Sequence, residues 1–196
     1  MMTNKVNEMT IMLENFYKSC KYSKFQSKCL NLYESSISSD VKNYLRILST
    51  NFLFLVNKNK AIQEYDKINL PTENKYLQAY YFLEIICLIN KEEFSEAEDK
   101  LNKYRRHGSI TKEDADSLNL YLSIYSKKEI KDIEKIFSIN NRILYQNVFN
   151  ARLLMDYYDN FDDEKALEYA KFIKKQKTDF TDTNNKADLV ISKYKK

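Results

Sequence analysis

The sequence predicts an all-α protein of about ten to eleven antiparallel helices stacked as helical hairpins, and three observations carry that expectation. Gly108 and Pro71 are the only glycine and the only proline in 196 residues, where average usage would supply roughly a dozen and ten. The tight turns, bulges and sheet corners those residues build are therefore scarce. Apolar residues recur at i, i+3, i+4 and i+7 nearly throughout, and no segment alternates with period two between turn residues. Finally, Ala61, Ala97, Ile133 and Ala166 stand 36, 36 and 33 residues apart, each followed four positions later by Tyr65, Leu101, Phe137 or Ala170. A fifth unit aligns with Lys28 and Leu32. A period of about 34 residues with two helices per unit marks an array of stacked hairpins. An irregular bundle of helices of similar length is the alternative reading of the same period.

Taken in order, the spacing predicts helices over 3–20, 24–35, 39–56, 59–68, 73–89, 94–107, 111–126, 128–139, 142–158, 162–176 and 184–194. Ser95 with Glu98, Ser126 with Glu129, and Thr111 with Asp114 each place a hydroxyl and a carboxylate three residues apart, the pattern of a capped helix start. Gly108 follows Arg105, Arg106 and His107 and reads as the residue just past a helix end, with cations on the negative end of the dipole. Pro71 reads as a stop before the helix that begins near Thr72 or Glu73. The expected organisation is one helical-repeat domain over 1–176, with 177–196 a loose connection and a C-terminal capping helix or tail.

Within the unit Leu83–Tyr104, the stretch LINKEEFSEAEDKLNKY places Phe94, Ala97 and Leu101 at aromatic, small and apolar positions after a turn. Ala166, Ala170 and Ile173 repeat the pattern in the last unit. On these residues the chain resembles the tetratricopeptide repeat family, over roughly residues 10 to 176. It is similar to the sensing half of bacterial peptide-binding regulators, without their DNA-binding domain. The resemblance implies a non-enzymatic scaffold that takes a peptide or a segment of a partner protein in a concave groove, with a regulatory or signalling role.

Composition narrows the chemistry. With 32 basic and 28 acidic side chains intermixed, the net charge is +4, which neither demands nor forbids an anionic partner. The apolar runs 51–56 and 80–89 are too short to span a bilayer, and the N-terminus lacks the unbroken apolar core of a signal peptide. A cytoplasmic protein without membrane contact is expected. Cys20, Cys29 and Cys87 lie within helical patterns and read as buried thiols. His107 is the only histidine, so a Cys/His dyad or a zinc ligand set finds no spacing that recommends it. Phosphate-cradling loops need several glycines. No enzyme and no cofactor is expected.

Candidate ligand residues follow from the hairpin reading. First helices of such units line the concave face, and here they carry Asn43, Arg46, Gln78, Asn119, Gln146, Asn147 and Asn150. An amide pairs with both the N–H and the C=O of an extended backbone, which suits a peptide. Second helices carry the basic clusters: Lys100, Lys103, Arg105 and Arg106, then Lys128, Lys131 and Lys135, then Lys171, Lys174 and Lys175. Their alternative use is an electrostatic stripe for nucleic acid. The 16 tyrosines and 11 phenylalanines fall mostly at core spacing, with phenols reaching edges of the stack for hydrogen bonds. Self-association as a homodimer is compatible with the peptide reading.

Overall fold

The computed structural model describes residues 2–36 and 38–194, and among them every regular element is a helix. Eleven are present: α1 (Met2–Ser19), α2 (Tyr22–Glu34), α3 (Ser39–Leu53), α4 (Lys58–Tyr65), α5 (Asn74–Asn90), α6 (Phe94–Arg106), α7 (Lys112–Tyr125), α8 (Ile133–Ile136), α9 (Leu144–Tyr158), α10 (Asp163–Lys175) and α11 (Thr181–Tyr194). The all-α class expected from the missing glycines and prolines is what the chain adopts. Contacts divide it into two compact units. A middle unit comprises Cys29–Glu129, and a terminal unit combines Met1–Lys28 with Ile130–Lys196.

In the middle unit α3, α5 and α7 pack side by side, with α4 set against α3 and α5, and α6 against α5 and α7. α5 is thus the hub, and its second half, residues 83–90, is buried without interruption. Leu83, Ile85 and Ile89 of α5, Leu101 of α6, and Leu118 and Ile124 of α7 all belong to the core, at 1% exposure or less. In the terminal unit α1 packs on α9, α9 on α10, and α10 on α11. Phe16 of α1 anchors this core, with ring centroids 4.9 Å from Phe25, 5.4 Å from Tyr145 and 5.9 Å from Phe180.

The period-34 positions have a packing role. Ala61, Ala97 and Ala166 have no exposed surface and Ile133 is 3% exposed, and small side chains there let neighbouring helices approach closely. Lys28 departs from this set. It is exposed, as a lysine's charge favours, while the next residue, Cys29, is buried.

Helix ends show how a chain nearly without glycine turns corners. Gly108 takes the left-handed conformation at φ 63°, and the Gly108 and Ser109 N–H groups donate to Arg105 and Tyr104 carbonyls at 3.2 and 2.9 Å. That is a Schellman closure, as the sequence suggested. Glu92 (φ 64°) after α5 and Lys127 (φ 59°) after α7 make the same pair of bonds without a glycine. The expected helix over 128–139 contracts to Ile133–Ile136 for this reason. Lys127 and Asp132 are both left-handed, and the Ile130 N–H donates to Tyr157 Oη at 3.1 Å instead of to a helical carbonyl.

Of the three capped starts expected above, one forms as read. The Asp114 N–H donates to Thr111 Oγ1 at 3.1 Å, and the Thr111 hydroxyl returns to Asp114 Oδ2 at 2.8 Å. Ser95 lies inside α6, which begins after Glu93 without a side-chain cap. Ser126 closes the end of α7, donating to the Leu122 carbonyl at 2.7 Å. Two starts are capped from far away in sequence. Asp40 of α3 accepts from Thr72 N (3.2 Å), Thr72 Oγ1 (2.7 Å) and Glu73 N (2.8 Å) ahead of α5. Asp179 accepts from Tyr22 N (2.7 Å), Ser23 N (3.0 Å) and Ser23 Oγ (2.9 Å) at the start of α2.

Candidate functional site

The candidate site lies on the α3, α5 and α7 layer of the middle unit, where the first half of α5 meets its neighbours. Residues 76–82 are all half-buried, in contrast to the buried second half of the same helix. Two aromatic rows involve this half of α5, every ring of them half-buried. Tyr76 of α5 faces Tyr44 of α3 with centroids 4.9 Å apart. Tyr80 reaches Tyr65 of α4, the two hydroxyls 3.4 Å apart, while Tyr81 stacks on Tyr104 of α6 at 4.2 Å.

Glu84 stands at the Tyr104 end of the second row. It is the one charged residue between Tyr76 and Asn90 and is 9% exposed, so it needs partners. The Tyr104 hydroxyl donates to its Oε2 and Lys100 Nζ to its Oε1 at 2.8 Å. Lys100 also lies 3.3 Å from Glu96, and its hydrogen bond to Glu84 raises its pKa. Burial raises the pKa of Tyr104 and of Tyr65, reinforced by the bonds to Glu84 and to Tyr80 respectively. Tyr44 is raised by burial and by Tyr76 beside it. These phenols therefore remain protonated donors well into alkaline solution.

Four of the seven ligand candidates stand on this layer. Asn43 is half-buried on α3, and Arg46 is exposed with its guanidinium 4.9 Å from the Tyr33 ring and 3.4 Å from the Lys67 carbonyl. Gln78 is half-buried and donates to Asp114 Oδ2 at 2.5 Å, tying α5 to α7. Asn119 is half-buried on α7. The other three belong to the terminal unit. Gln146 is exposed. Asn147 accepts from the Asn141 N–H at 2.7 Å and donates to its carbonyl at 2.8 Å, and Asn150, 8% exposed, donates to the Ser138 carbonyl at 2.7 Å. Asn147 and Asn150 thus hold the connection between α8 and α9.

Several basic candidates already have acidic partners. In the middle unit Lys100 serves Glu84, Arg105 stands 4.0 Å from Asp116 and Arg106 donates to the Asn102 carbonyl at 3.3 Å, while Lys103 and Lys128 are exposed. In the terminal unit Lys135 pairs with Asp132 at 3.1 Å and Lys174 with Asp188 at 2.8 Å, and Lys131, Lys171 and Lys175 are exposed.

The sequence offered two signals for this site that amide positions alone did not capture. A lone glutamate inside the apolar run FLEIICLIN implies a buried carboxylate with dedicated donors. The tyrosines at 76, 80 and 81 are too polar for the fully dry half of α5 and occur where the helix is half open. Phenols elsewhere do reach hydrogen-bond partners: Tyr169 donates to Glu134 Oε1 at 3.1 Å, and Tyr194 to Asp159 Oδ1 at 3.0 Å.

Among the described residues no group of three or more His, Cys, Asp or Glu side chains is placed to hold a metal ion, and no helix is long and apolar enough to cross a membrane. All three cysteines are buried. Burial pushes the Cys20 and Cys29 thiols up to about 12 and the Cys87 thiol to about 11, away from the thiolate form a nucleophile needs. Compared with protein-family models, curated proteins and solved structures, the chain matches none.

Proposed function

We propose that this chain is a non-enzymatic binding protein that takes a peptide, or an extended segment of a partner protein, on the α3, α5 and α7 layer. The observation that carries the reading is the half-open first half of α5, where Tyr76, Gln78, Tyr80 and Tyr81 are half-buried and Tyr76 faces Tyr44 of α3. Tyrosine supplies large contact area at low rotamer cost and keeps a hydroxyl for bonding. The amides of Asn43, Gln78 and Asn119 on the three neighbouring helices add donors and acceptors for a peptide backbone. The likeness of the hairpin pattern to tetratricopeptide repeats supports the same assignment, and with it a regulatory role in the cytoplasm.

The test is selection of peptides from a random phage-displayed library on the immobilised full chain, followed by calorimetry of the selected peptides. A 1:1 complex that weakens at least tenfold in Tyr76→Ala and in Asn119→Ala is expected, a loss of about 1.4 kcal/mol or more. Failure to enrich any peptide, or selected peptides indifferent to both substitutions, would overturn the assignment.

A further inference from the structure

The terminal unit concentrates positive charge in a way the intermixed sequence conceals. Residues 15–28 hold Lys18, Lys21, Lys24 and Lys28 and no carboxylate. Residues 169–178 hold Lys171, Lys174, Lys175 and Lys177, again with no carboxylate. The fold brings these two segments together. Lys21 Nζ donates to the Lys177 carbonyl at 3.0 Å, and Asp179 caps the start of α2 through Tyr22 and Ser23. The eight lysines carry twice the net charge of the whole chain, +4, so the remainder of the molecule is net acidic. Lys21 is half-buried and the other seven are exposed.

Local structure explains only part of this cluster. Lys18, Lys174 and Lys175 sit in last turns of helices, where cations complement the dipole. Lys24 stands in the first turn of α2, which contains no acidic residue, on the end that disfavours a cation. Among the described residues two carboxylates are bonded to the cluster, against eight lysine charges. Asp179 is turned to backbone N–H groups and the Ser23 hydroxyl, and Asp188 takes Lys174 alone at 2.8 Å. Lys24 and Lys28 lie four residues apart on one face of α2, as Lys171 and Lys175 do on α10.

We propose that this lysine cluster is a sequence-independent binding surface for the phosphate backbone of nucleic acid. Lysine is a point charge that suits phosphate without demanding a fixed geometry, and the cluster contains no arginine for bidentate recognition of carboxylates. None of the large exposed apolar residues, among them Ile11, Leu30 and Phe161, falls within 15–28 or 169–178, so the surface lacks the apolar face with which a helix enters a lipid interface. The partner this fits is a polyanion with regularly spaced charges.

The experiment is fluorescence anisotropy of the full chain with a labelled single-stranded RNA of about 20 nucleotides and with a duplex of the same length, across about 50 to 200 mM salt. The test variant carries Lys24→Gln, Lys28→Gln, Lys171→Gln and Lys175→Gln, four exposed positions that take no part in the Lys21–Lys177 bond or the Asp179 cap. The control carries Lys60→Gln, Lys103→Gln, Lys112→Gln and Lys128→Gln in the middle unit, an equal loss of charge. Wild-type binding that falls steeply with salt is expected, weakened on the order of 30-fold in the test variant, with the log–log salt slope for single-stranded RNA shallower by about 3. The control is expected to bind as wild type. Absence of wild-type binding at low salt, or equal weakening by both variants, would overturn the proposal. So would equally tight binding to polyglutamate or to anionic vesicles, which assigns the surface to an acidic protein or a lipid interface. Circular dichroism on both variants verifies that they are folded.

Discussion

Asp40 stands on α3 yet supplies the cap that α5 does not make for itself, since Glu73 at the α5 N-cap makes no side-chain capping bond. Replacement by alanine removes, among its contacts, the three bonds that cap α5: from Thr72 N at 3.2 Å, Thr72 Oγ1 at 2.7 Å and Glu73 N at 2.8 Å. A bond to a charged group contributes about 1.5–3 kcal/mol when buried, and loss of an N-cap costs about 1. Asp40 is 5% exposed while Thr72 and Glu73 are exposed, so water restores part of what the donors lose. The bonds then contribute about 1 kcal/mol each, and Asp40→Ala is expected to cost about 3 kcal/mol. Asp40→Asn keeps an acceptor oxygen and is expected to cost about half as much. Urea titration followed by circular dichroism measures both, read as a lower midpoint at unchanged slope. A double-mutant cycle with Thr72→Ala isolates the hydroxyl bond, with an expected coupling of about 1 kcal/mol. A cost below about 0.5 kcal/mol for Asp40→Ala, typical of an indifferent surface change, would refute the idea that α5 is started by a residue of α3.

The left-handed helix ends give a second test. Glu92→Gly and Lys127→Gly are each expected to stabilise by about 1 kcal/mol, because a side chain at positive φ costs about that much. Gly108→Ala is expected to destabilise by a similar amount through backbone conformation alone, since an added Cβ meets nothing within 4 Å; thermal or urea unfolding reads all three. The thiols are expected to react slowly with a disulfide reagent at mildly alkaline pH in the folded protein and to yield three equivalents once unfolded. Asp159 opposes burial with hydrogen bonds from Lys193 at 2.9 Å and Lys186 at 3.0 Å, which hold its carboxyl at about 2. A depressed folded-state value means its contribution is complete above the unfolded value near 4 and fades as pH falls toward 2. The stability difference between wild type and Asp159→Asn, from urea midpoints, is expected to be constant above about pH 5 and to shrink on acidification.

Much of the helical content was legible because it rests on local spacing. Ten of the eleven expected helices form within a few residues of the expected bounds, and Gly108 closes α6 as its position implied. The departures come from interactions that local sequence does not record. Ser126 reads equally well as an N-cap or as a residue bonding back to the preceding turn, and the Leu122 carbonyl decides for the second. The α8 segment yields most of its length to left-handed Lys127 and Asp132 and to a phenol 27 residues away on α9. Asp40 and Asp179 cap helices 32 and 157 residues from themselves, and no short motif announces such a pairing. At the candidate site the amides on α3, α5 and α7 were readable from helix order. Asn147 and Asn150 were not distinguishable from them, because their partners lie in the irregular connection that precedes α9. The Glu84 network was visible only as a charge out of place in an apolar run.

The most direct test of peptide binding on the α3, α5 and α7 layer is hydrogen exchange of the full chain with and without a library-selected peptide at saturating concentration. Slowed exchange is expected in the first half of α5 and in the facing parts of α3 and α7, with the terminal unit unchanged. Protection confined to the terminal unit, or none anywhere despite a calorimetrically bound peptide, would contradict it.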